Sequence, residues 1–171
     1  MKPYKKSAIT LISCVFFACL PAIVSAQNQV TVLAGAELTK VTPTGFYFQG
    51  QSAPTQMRNA AAARAGNDRF VIAGLVDTSG YAAEIRAKYE GFLITDSPVS
   101  VGGWDLSVGA YGFGFTNDGK FTILDVAGNQ IASVASAKDN GLKRPRPLMM
   151  QKSGSEVRLY RGKDYVAITF K

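Results

Sequence analysis

Few side chains in this chain can move a proton near neutral pH. It has no histidine, and its two cysteines, Cys14 and Cys19, both lie in an apolar leader. A Ser-His-Asp or Cys-His site therefore cannot form. Beyond the leader, neither can a zinc site built from imidazole or thiolate ligands. No other residue pattern points to a metal or a cofactor. Carboxylates remain as the acid-base groups, and Asp77, Glu84, Glu90, Asp96 and Asp105 fall within one stretch of the chain. Two of them converging in a cleft would supply the paired acids of a glycosidase.

Asp77 has the most distinctive surroundings of the five. The run Leu75-Val76-Asp77-Thr78-Ser79-Gly80 resembles the Asp-Thr-Gly loop of aspartic proteases, in which two acids share one proton. Here Ser79 separates Thr78 from Gly80 and no second copy follows, so only a homodimer would complete the pair. The inserted serine also displaces the backbone that would orient the carboxylate. The plainer reading is a strand end in which Asp77 and Ser79 hydrogen-bond a turn. Asp77 is thus the acid of an alternative, a carboxylate-dependent hydrolase.

Two further clusters suit binding better than catalysis. Lys143-Arg144-Pro145-Arg146-Pro147 is the densest charge outside the leader, and its two prolines hold it extended and out of any central strand. Lys143, Arg144 and Arg146 should therefore face solvent and are the candidate anion contact. The second cluster is Gly109-Ala110-Tyr111-Gly112-Phe113-Gly114-Phe115. Read as a strand, it puts Tyr111, Phe113 and Phe115 on one face. Gly112 and Gly114 lie on the other, where a flat ligand or another backbone can approach closely.

The charge balance supports the first of these. Residues 27–137 carry 7 basic and 9 acidic side chains, and residues 138–171 carry 9 and 3. The leader tells where such a patch would act. Lys2, Lys5 and Lys6 precede an uncharged apolar run over 8–20, Pro21 breaks it, and Val24-Ser25-Ala26 offers small residues for cleavage before Gln27. This is the pattern of a secretory signal peptide, too short to span a bilayer. Phe16 and Phe17 before Cys19, and the short run before Cys14, fit lipid attachment poorly. A periplasmic or extracellular protein meets no nucleic acid. The expected partners are anionic lipid headgroups, lipopolysaccharide or acidic glycans.

Removal of the first 26 of 171 residues leaves 145, the size of one domain without disulfides. The patterning predicts a mainly β fold of eight to ten strands, a small antiparallel barrel or alternatively a two-layer sandwich. A small outer-membrane barrel would also use alternating strands, although most runs here are shorter than that requires. Residues 106–116, 120–126 and 130–137 should form a meander across Asp118-Gly119 and Gly128-Asn129, and residues 148–151, 156–160 and 165–170 a second one. Residues 45–49, 69–76 and 91–95 read as strands, the second of them central, and 82–89 as a helical turn. Residues 30–33 and 38–41 are weaker strand candidates. Residues 54–65, rich in alanine, predict a short helix of about three turns lying close against a sheet.

Overall fold

The computed structural model describes residues 29–171, so the leader, its two cysteines and the cleavage position lie outside the described residues. The described chain opens with β1 (Val30–Val32), α1 (Gly35–Val41) and a hairpin of β2 (Gly45–Phe48) and the long β3 (Gln51–Ala65). Next come β4 (Arg69–Val76), the single turn α2 (Ala83–Arg86), β5 (Gly91–Thr95) and a small hairpin of β6 (Val99–Val101) and β7 (Trp104–Leu106). The remainder is β8 (Gly109–Phe115), β9 (Lys120–Leu124), β10 (Gln130–Ala135), β11 (Ala137–Lys138), β12 (Arg146–Ser153), β13 (Glu156–Gly162) and β14 (Asp164–Phe170).

These strands form two antiparallel sheets. The larger runs β1-β3-β4-β5-β8-β9-β10, with β2 on the first part of β3, and the smaller runs β12-β13-β14-β6-β7, with β11 on β14. The barrel expectation is corrected, because neither sheet closes on itself. After β10 the chain crosses to the smaller sheet and pairs Ala137 with Tyr165, so β10 and β1 stay separate edges. An outer-membrane barrel needs that closure to satisfy its edges in lipid. The arrangement is sandwich-like. Val71, Leu93, Phe113 and Ile123 of the larger sheet meet Val99, Leu159, Val166 and Ile168 of the smaller in one core.

Both predicted meanders are present, and Gly119 (φ 77°) and Gly128 (φ 87°) take the left-handed conformation at the first one's turns. The run 106–116 divides, however. β7 belongs to the smaller sheet and β8 to the larger, with the crossing at Ser107 and Val108. Such short pieces raise the strand number to fourteen among the described residues.

The predicted helix over 54–65 is the clearest local error, for this segment is strand β3. Its alanines alternate, with Ala61, Ala63 and Ala65 in the shared core and Ala60 and Ala62 buried on the opposite face. Pairing with β4 over Ala60 to Ala65, and with β1 over Ala63 to Ala65, outweighs alanine's helical preference. The small side chains do bring a close neighbour, as expected of a helix. It is β12, whose Cα atoms come within 8 Å of those of β3, closer than the usual spacing of about 10 Å between stacked sheets. Residues 38–41 are likewise corrected from strand to helix, within α1, where Thr42 closes the last turn onto the carbonyl of Leu38.

The larger sheet is covered on its outer face too. Phe46 and Phe48 of β2, with Tyr81 and Tyr89 from the segment after β4, pack there on Phe92 and Leu124. The rings of Phe48 and Tyr89 stack 3.8 Å apart. This cover rests directly on the backbone of β8. A Cβ at Gly112 would lie 2.6 Å from the Phe48 ring, and one at Gly114 would lie 2.4 Å from the carbonyl oxygen of Lys88.

Two substitutions test this layering. Phe113, fully buried between the sheets, should cost about 3–5 kcal/mol of unfolding free energy when changed to Ala. Gly114→Ala adds only a methyl group, yet should cost about 1–3 kcal/mol because the Lys88 backbone must lift. Denaturant titration reads both, and an unchanged midpoint in either variant would contradict the packing described.

Candidate functional site

The ends of β4, β12, β13 and β14 meet the segment around α2 at a solvent-open cleft of about 680 Å³. Its accessible apolar part is half-buried Leu75 of β4 with Pro145 and Pro147, while Val76 and Tyr89 lie buried beneath it. Gln56, at the bulge of β3, forms part of the rim and donates from Nε2 to the Val76 carbonyl at 3.0 Å. Facing these are Pro145, Arg146 and Pro147 at the start of β12, and residues 161–164 at the turn between β13 and β14. The prolines suit that place. β12 is an edge strand, so their missing N–H groups interrupt no inner ladder.

One ion pair joins the two sides. Arg161 Nη2 lies 2.5 Å from Glu90 Oε1, while Glu90 Oε2 accepts the Phe115 N–H at 2.9 Å. Glu90 thereby ties the turn of the smaller sheet to β8 of the larger. Asp164, the other acid of the cleft, lies 3.5 Å from Lys138. Arg86, Arg146 and Lys163 also line the cleft, and among the described residues their side chains have no ion-pair partner. The cleft thus holds three cations without ion-pair partners beside Leu75 and two prolines. Such an arrangement can hold an anion by Coulomb attraction and by the N–H donors of two guanidinium groups.

The three cations singled out in the sequence divide here. Arg146 lines the cleft, whereas Lys143 and Arg144 stand on the exposed approach to β12 just outside it. Arg86, Arg161 and Lys163 were not singled out. They reach the cleft only through the pairing of distant strands, and no local pattern marks them. The four ion pairs that involve the basic C-terminal fifth use Lys138, Arg158, Arg161 and Lys171, leaving Lys143, Arg144, Arg146, Lys152 and Lys163 without an ionic partner among the described residues.

The candidate acids have separate local partners. Asp77 accepts the Ser79 N–H at 3.0 Å in a turn, and that bond holds its carboxyl below the ordinary aspartate range. A general acid needs the opposite shift. Asp96 accepts the Phe70 N–H, Asp105 pairs with Lys171, Glu90 is engaged as above, and Glu84 is exposed on α2. Among the described residues no group of three acids could hold a metal ion. The glycine face of β8 is occupied by the chain itself, Gly112 under Phe48 and Gly114 under Lys88, and Tyr111 is half-buried with its hydroxyl donating to the Ser107 carbonyl. No helix of the described residues is long and apolar enough to cross a membrane.

No protein-family model, curated protein or solved structure matches this chain.

Because the Glu90 and Arg161 side chains are both partly exposed, their pair should be weak but measurable. A double-mutant cycle with Glu90→Gln and Arg161→Gln should give a coupling of about 0.5–1 kcal/mol, shrinking in high salt. A coupling of zero would mean that the pair does not join the two walls.

Proposed function

We propose that this is an exported, non-catalytic binding protein of the cell envelope whose basic end holds an anionic component, such as a phosphate-bearing lipid headgroup, lipopolysaccharide or an acidic glycan. The observation that carries the reading is the convergence of Arg86, Arg146 and Lys163 on one cleft, none of them in an ion pair among the described residues. Lys143 and Arg144 extend the same positive field from the cleft onto the surface before β12. Cations that converge from three separate segments without ionic partners favour an anion supplied from outside. Half-buried Leu75 and exposed Pro145 and Pro147 beside the cations support a ligand that presents carbon beside its charge, as a headgroup or a sugar does.

The hydrolase alternative has less in its favour, since each candidate acid other than Glu84 has a local partner and Asp77 is held ionised. Signal-directed export belongs to the same proposal and rests on the leader alone.

Electrostatic binding of this kind weakens as added salt shortens the screening length from about 10 Å at 0.1 M to about 3 Å at 1 M. Purified protein should co-sediment with phosphatidylglycerol vesicles at low salt, detach as salt rises, and ignore phosphatidylcholine vesicles. The triple variant Lys143→Gln, Arg144→Gln, Arg146→Gln should bind less at every salt concentration. Wild type that ignores anionic vesicles at low salt, or a triple variant that binds equally well, would overturn the proposal.

A further inference from the structure

The larger sheet ends on β10, an edge with no charge, no proline and no further strand beside it, whose one irregularity is a bulge at its first residues. Natural sheets blunt their edges with charge, proline, brevity or a covering segment, because an open row of N–H and C=O groups recruits another strand. The other edges here are blunted in these ways. β1, β2 and β7 have three or four residues, β11 has two, and β12 carries Arg146, Pro147 and Lys152. β10 is six residues long and holds neither charge nor proline, and the uncharged stretch around it runs from Val126 to Ala137. Among the described residues, β10 bonds only to β9, leaving its outer backbone groups unpaired.

We infer that β10 is the seam of a symmetric dimer, in which β10 of one copy pairs antiparallel with β10 of a second and extends the larger sheet across both. Two-fold pairing sets a strand against its own reverse, so a charge near the axis meets the same charge on its partner. β10 escapes that penalty. Its exposed face presents Ile131, Ser133 and Ala135, small enough to lie beside their counterparts, and Ile131, 38% exposed, would gain apolar cover. The bulge between Gln130 and Ala132 disturbs one end only, so the regular part, Ala132 to Ala135, is where pairing would centre. The occupant follows from this neutrality. A charged partner strand would gain nothing from an edge without charge, whereas a second copy always supplies a strand of matching length and pattern. This inference uses a different surface from the cleft and stands independently of it.

Sedimentation velocity of purified protein from about 1 to about 100 μM spans the range in which a strand-mediated dimer of ordinary strength is populated. Wild type should sediment as a dimer at the upper end, and Ser133→Lys, which brings two ammonium groups together at the seam, as a monomer throughout. Hydrogen exchange in the dimeric wild type needs no variant. The β10 amides directed away from β9 should be protected like those of an inner strand. A monomeric wild type at the highest concentration, a folded Ser133→Lys that dimerises as wild type does, or β10 amides that exchange like an open edge within the dimer would each overturn the inference.

Discussion

The outer side of the larger sheet depends on how closely the segment bearing Lys88 and Tyr89 lies on β8. That approach is possible only because Gly114 has no side chain, since a Cβ there would fall well inside contact distance of the Lys88 carbonyl. Once seated, the segment is fixed from several directions. Thr122 donates its hydroxyl hydrogen toward the Lys88 and Gly114 carbonyls, the Glu90 N–H bonds the Phe113 carbonyl, and the Tyr89 ring fills the outer core against Phe48. Burial there pushes the Tyr89 phenol above the ordinary tyrosine range, so it stays neutral and adds no charge under the cleft. Glu90 is then left at the one place from which it can accept the Phe115 N–H and meet Arg161 of the opposite sheet.

The electrostatics of the cleft follow from that seating. Glu90 is consumed by Arg161, and Asp164 turns toward Lys138, so the two acids near the cleft answer two cations. Arg86, Arg146 and Lys163 remain. Each sits on a different segment, on α2 after β4, at the start of β12 and in the turn before β14. Having no ion-pair partner among the described residues, all three keep their positive field whether or not an anion is present.

How much of this was legible in the sequence differs from residue to residue. The meanders were, because Asp118-Gly119 and Gly128-Asn129 dictate turn conformations locally and the strands between them alternate. Arg146 was legible because two prolines beside clustered cations mark an exposed edge. The strand β3 was not, since Ala60 to Ala65 has no periodicity of its own and alanine favours helix until β1 and β4 claim its backbone on both sides. The separation of the two sheets was equally hidden, because it turns on where the chain crosses at Ser107 and Ser136 rather than on any residue pattern. Arg86 and Arg161 were invisible for the same reason, and Glu90, read only as a possible acid, meets them through topology alone. A barrel and a sandwich share their alternation, and only the choice of edge partners separates them.

The central claim is that anions enter the cleft between the sheets rather than scatter over a basic surface. Titration of isotope-labelled protein with inorganic pyrophosphate at low salt, followed by nuclear magnetic resonance, tests it most directly. The account predicts saturable shifts at the backbone and side-chain N–H groups of Arg86, Arg146 and Lys163, diminished by added salt. Shifts spread evenly over exposed lysines such as Lys152, with the cleft resonances unmoved, would contradict it.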